Sequence, residues 1–213
     1  ARDSFASAAS PGATRNTRAA GASALMAVAT PADRPPPDVG MSTLLTADFT
    51  FINEKLAAHY GIPDVKGNEF RKVSLQGTPR RGIFGHGSIL TLTSYPNRTS
   101  PVLRGQYILE NILHTPAPPP PPNVPQLTPP GGKDAKKMSL REQMERHRDD
   151  PACASCHALM DPIGFGMENF DAIGRWRDKD SSNLPINPGG TLVTGQSFAT
   201  ADDLMKIIAN DNR

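Results

Sequence analysis

The two cysteines of this chain and one of its five histidines stand together in Cys153-Ala154-Ser155-Cys156-His157. Thiols at i and i+3 lie on one side of a helical turn, where each can form a thioether to one vinyl group of a haem. The adjacent histidine can then donate an imidazole nitrogen to the iron. Scattered at random, two cysteines and five histidines meet this C-x-x-C-H pattern roughly once in several thousand chains. Two other chemistries use the same residues. A dithiol redox pair also uses C-x-x-C, although there it follows a strand and here a charged helical segment precedes it. A zinc site would need two further ligands, for example His147 and His157, but adjacent Cys156 and His157 strain tetrahedral coordination.

A haem held at Cys153, Cys156 and His157 has a second axial position. Met167, beyond the Gly164-Phe165-Gly166 stretch, can reach the opposite face. His147, Met160 and Met205 are the other candidates, as is an open position. Methionine there raises the potential and histidine usually lowers it. Leu159, Ile163, Phe165, Phe170 and Trp176 supply apolar wall or ordinary core.

The string Cys153 to His157 is followed by Asp161-Pro-Ile-Gly-Phe165 and Glu168-Asn-Phe-Asp-Ala-Ile-Gly-Arg-Trp-Arg177. Upstream stand Leu44 to Glu54, His59-Tyr-Gly61, Leu92 to Pro96, Arg98 to Gly105 and a proline run. In this order the blocks resemble bacterial, planctomycete-type multidomain secreted cytochrome c-like proteins of uncharacterised function, from Leu44 to the C-terminus. The resemblance implies a mostly helical, exported, haem-binding protein. It implies that the carbonyl of Pro162 orients His157. Residues 1–40 and the end at Arg213 depart from the pattern. The expectation is therefore a piece of a longer chain with a truncated haem domain.

Other elements must position that motif. Phe49, Ile52, Leu56 and Tyr60 recur at helical spacing, with Asp48 as cap and Gly61 then Pro63 as stop. A helix is expected over 48–61, with His59 as an ordinary residue at its end. Alternation over Phe70–Leu75 suggests a short strand, and 82–92 fits a buried helix only loosely. Ser100 and Pro101 open a helix expected to run to about His114. Seven prolines within Pro116–Pro125 form polyproline II of roughly 30 Å, a stiff spacer or a ligand for a proline-binding module. Ser139 with Glu142 forms a capping box, and that helix should break at Pro151. A last capped helix covers Thr200–Ala209.

Arg98 and Arg104 can pair with haem propionates or serve as helix-start and surface charges. Arg175, Trp176 and Arg177 pose the same choice. His86, between two glycines, stands alone. Paired catalytic carboxylates, phosphate-binding glycine loops and nucleophile triads are missing as recognisable patterns.

The 213 residues include 18 glycines and 22 prolines, and 37% are hydrophobic. That is a loop-rich composition. A net charge of +2 leaves no electrostatic footprint for nucleic acid. No run approaches the ~18 apolar residues of a membrane span. Two cysteines are too few for a disulfide scaffold. The expected fold class is mainly α, an irregular helical cytochrome c-like domain with long Pro-rich loops. Its parts are a tail over 1–40 (disordered, or a processed targeting segment), a helical domain over 41–115, a polyproline linker over 116–138 and a haem-binding domain over 139–213.

The expected function is one-electron transfer by covalent haem c, with a redox partner protein or other domains of the parent chain as partner. The compartment is the periplasm or cell surface. The alternatives are a haem-dependent oxidoreductase module (oxidase, peroxidase or dehydrogenase) and a non-haem interaction module.

Overall fold

The computed structural model describes residues 42–119, 138–149 and 151–211. The expected tail over 1–40 and most of the expected linker over 116–138 lie outside them. Seven helices and three two-stranded antiparallel sheets occur among the described residues. The fold is thus mixed α and β, which corrects the mainly α expectation. The first strand shows why. Phe49 and Ile52 fit a helical spacing with Leu56 and Tyr60, but Phe49, Thr50, Phe51 and Ile52 are all aromatic or β-branched, and such residues fit a pleated, half-buried surface. They form β1 (Phe49–Ile52), which pairs with β2 (Arg71–Ser74) in the register Phe49 to Ser74 and Ile52 to Arg71.

A short helix, α1 (Ser42–Thr46), precedes β1. The helix expected over 48–61 begins only after the strand, as α2 (Glu54–Tyr60). Its cap is Asn53, not Asp48: the Asn53 side chain accepts from the Leu56 amide. Gly61 ends it in the left-handed region at φ 70°, a conformation glycine adopts without a Cβ penalty. Ile52, Ala57 and Val65 close a small core beneath this unit.

The ambiguous 82–92 segment resolves into a 3₁₀ turn (Ile83–Gly85) and α3 (Gly87–Leu92). A tight hairpin follows, β3 (Ser94–Tyr95) with β4 (Arg98–Thr99). Ser100 then caps α4 (Pro101–Asn111) through the Leu103 amide, with Pro101 in the first turn. This helix stops at Asn111, short of His114. Ser139 and Glu142 form the expected capping box of α5 (Leu140–His147). Pro151 does not break a helix but opens α6 (Pro151–Phe165). The missing amide hydrogen of proline costs nothing there. The chain ends in the hairpin β5 (Gly190–Thr191) with β6 (Ser197–Phe198), then α7 (Ala201–Ala209), whose capping box is Thr200 with Asp203.

The main core is shared between segments far apart in the chain: Leu45, Ile108, Leu109, Ile163, Met167 and Leu204 all belong to it. At its centre α4 and α6 lie antiparallel with their backbones in contact. A Cβ on Gly105 of α4 would overlap the Met160 carbonyl of α6. A Cβ on Gly164 of α6 would overlap the Pro101 carbonyl of α4. These glycines stand where any side chain would push the helices apart. Gly105→Ala and Gly164→Ala are each expected to lower stability by about 1–3 kcal/mol, the usual cost of overpacking, read as a lower urea midpoint. A wild-type midpoint in both variants would contradict the close crossing.

Candidate functional site

α6 carries the motif. Cys153, Cys156 and His157 stand at i, i+3 and i+4 and so share one face of the helix. Farther along α6, Met160 and Gly164 meet α4, so the thiols occupy the N-terminal half of the helix, beyond the crossing. Both thiols are free and half-buried. Cys156 packs against the main core and donates its weak S–H bond to the carbonyl of Pro118, 3.7 Å away. The first residues of the proline run therefore lie beside the motif.

The His157 side chain keeps 19% of its surface open. Its Nδ1 lies 3.0 Å from Oδ1 of Asp161, one turn on. The Nε2 atom makes no hydrogen bond among the described residues. Asp161 is fully buried. Its Oδ2 has no hydrogen-bond partner among the described residues and sits 3.7 Å from Nε of Arg148. The carbonyl of Pro162, expected to orient His157, instead accepts the Gly166 amide within the helix. A helical carbonyl points along the helix axis, away from the ring five residues earlier, and the Asp161 carboxylate takes its place.

α5 brings His147 and Arg148 to this end of α6. It is fixed from below by Arg141, which donates to the carbonyls of Asn187 and Gly189 at 2.7 Å each and stacks over Phe165. The His147 ring meets the His157 ring edge-on, with centroids 5.4 Å apart. Met160, Met167 and Met205 are all buried in the main core. Among the described residues no group of three or more His, Cys, Asp or Glu side chains converges as a metal site.

The arginines and Trp176 divide. Arg104 is the largest fully buried side chain, so it cannot face a propionate. Its guanidinium donates to the carbonyls of Met167 and Phe170 at 2.7 Å each and of Asp171 at 2.8 Å. Glu168 lies 3.6 Å away and also accepts from Arg177 at 2.8 Å and from Thr99 at 2.9 Å. Burial pulls Arg104 down to about 10, with Glu168 opposing, so it stays charged at neutral pH. Burial pushes Glu168 up, while Arg104 and Arg177 pull it back. Trp176 donates to Asp178 at 3.0 Å and stands edge-on to Phe170. Arg98 stacks over Tyr95. Residues 97, 98, 168, 177 and 180 help line a cavity of about 290 Å³ that none of the motif residues touches.

Sequence reasoning passed over three residues here. Arg80 is buried between the rings of Tyr60 and Phe170 and donates to the carbonyls of Gly85 and Gly174. Its partners are backbone carbonyls, one five residues on and one 94 residues on, and no residue type signals them. Glu168 is hidden because its partner Thr99 lies 69 residues upstream. Asp161 did leave a signal, as His and Asp at i, i+4 on one helix face. His59 has a tertiary role: its Nε2 meets the carbonyl of Ile173 at 2.7 Å and its Nδ1 accepts from Arg175.

Residues 80–180 match the family model PSCyt3, described as a protein of unknown function (DUF1588). That family is found in planctomycete-type cytochrome c-like proteins. The matched stretch holds Arg80, Arg104, the C-x-x-C-H motif, Asp161 and Glu168. No curated protein and no solved structure matches the chain. Among the described residues no helix is long and apolar enough to cross a membrane.

Arg104→Met is expected to cost about 3–5 kcal/mol, because it leaves Glu168 buried without its full complement of cations. Adding Glu168→Gln should recover part of that loss in urea unfolding; a single variant within about 0.5 kcal/mol of wild type would show that the cluster does not hold this segment. Burial and the nearby Arg80 push His86 down to about 4 from 6.5, with its Nε2 facing Thr50 at 3.4 Å. The unfolded chain then binds more protons than the folded one between these two values, so stability falls as pH drops through that window. Thermal midpoints from pH 7 to 5 should fall more steeply in wild type than in His86→Gln; parallel profiles would contradict a neutral, inward His86.

Proposed function

We propose that this chain carries a covalently attached haem c and passes single electrons to and from a redox partner protein or neighbouring domains of its parent chain. The observation that carries the reading is the motif face of α6: two free, half-buried thiols one turn apart, beside a histidine whose Nδ1 is engaged and whose Nε2 is not. A carboxylate behind a ligating histidine fixes ring orientation and tautomer, and Asp161 stands in that position. Cys153 and Cys156 would each add across one vinyl double bond, the sulfur bonding one carbon and the thiol hydrogen passing to the other. No oxidant is consumed. When bound, the haem iron supplies a one-electron ferric–ferrous couple. Attachment of this kind belongs to exported proteins, so the proposed compartment is the periplasm or cell surface. The similarity of residues 80–180 to a family found in cytochrome c-like proteins supports the same reading.

A second reading is favoured by the burial of Met160, Met167 and Met205 in the core. With these engaged in packing, a bound haem would be left open to an exogenous molecule, as a haem-dependent oxidoreductase module would need.

The test is expression of the chain with a periplasmic cytochrome-maturation system, followed by the alkaline pyridine haemochrome spectrum. A c-type band that survives acid-acetone extraction is expected in wild type, with none in Cys153→Ala/Cys156→Ala. Carbon monoxide binding by the reduced protein then favours the oxidoreductase reading, and its absence favours electron transfer. Folded, fully matured protein without covalent haem would overturn both.

A further inference from the structure

Asp161 is costly where it stands. Its side chain is fully shielded from water, one oxygen has no hydrogen-bond partner among the described residues, and Nε of Arg148 is 3.7 Å from that oxygen. A buried carboxylate with so little compensation is destabilising. Its one side-chain hydrogen bond among the described residues is to Nδ1 of His157 at 3.0 Å. A neutral acceptor would orient the ring equally well. What a carboxylate adds is charge, which makes the hydrogen bond stronger and the far nitrogen more basic.

We propose that Asp161 is a positioning residue that sets the electronic character of His157. By accepting the Nδ1–H bond it turns Nε2 outward, and its charge strengthens donation from Nε2 to an iron bound there and holds the reduction potential down. Arg148 is the opposing element. Its guanidinium faces the other carboxylate oxygen and withdraws part of that charge, so the pair forms a graded setting. The ring of His147 packs edge-on against that of His157. This inference rests on the haem reading above.

The experiment is a spectroelectrochemical redox titration of the haem-loaded chain, with covalent haem in the wild type verified beforehand. Asp161→Asn keeps the size and an acceptor oxygen but removes the charge. It should shift the ferric–ferrous equilibrium toward ferrous by at least about tenfold, which is ~59 mV for one electron. Arg148→Gln should shift it the other way, and less so when Asp161→Asn is already present. A merely structural role would not give opposite signs that depend on each other. Asp161→Asn loaded with haem and within about twofold of wild type would overturn the inference and leave the haem reading standing. If Asp161→Asn does not fold, Arg148→Gln decides: a fall supports the inference and an unmoved potential overturns it. A wild type without covalent haem overturns the haem reading and this inference together.

Discussion

Two glycines set how close two helices can come, and the motif's position follows from that distance. Gly105 lies against the Met160 carbonyl and Gly164 against that of Pro101. The antiparallel pair is thereby held in register at both points. With Gly164 pinned, Cys153, Cys156 and His157 project from the part of α6 beyond the crossing. Interiors are close-packed and do not deform continuously, so a side chain at either glycine would tilt the motif as well as loosen the core.

The same crossing explains the buried charges. Arg104 leaves α4 one residue before Gly105 and enters the turn that follows α6. There it gathers three backbone carbonyls outside any helix or sheet, two of which also accept turn amides. Arg80 does the same for the Gly174 carbonyl, and His59 for that of Ile173. An irregular loop can be buried only if its backbone groups find partners, and here cationic or imidazole side chains from three separate segments supply them. These interactions make the 166–177 segment a rigid floor beneath the C-terminal end of α6. They also account for Arg104, which a haem-centred reading would assign to a propionate and which is fully buried.

The parts of this architecture that were legible in the sequence are the local ones. Ser100 with Pro101, Ser139 with Glu142, and Thr200 with Asp203 signal helix starts through bonds spanning three residues, and all three hold. The motif itself was legible because its spacing is local. The strand β1 was not: its Phe49 and Ile52 fit a helical period with Leu56 and Tyr60, and only pairing with Arg71–Ser74 decides between helix and strand. Arg104 was opaque because its carbonyl partners lie 63 to 67 residues downstream. Asp161 fell between these cases. Its spacing from His157 was visible, but attention went to Pro162, whose carbonyl a continuous helix already uses.

The account's central claim is that Cys153, Cys156 and His157 form a covalent haem site, and intact-mass spectrometry of the matured chain, followed by tryptic mapping, tests it most directly. The account predicts a mass increase of one haem per chain with no other change, located on the peptide spanning residues 149–175. An unmodified mass in folded, matured protein, with both thiols still reacting as free cysteines, would contradict it.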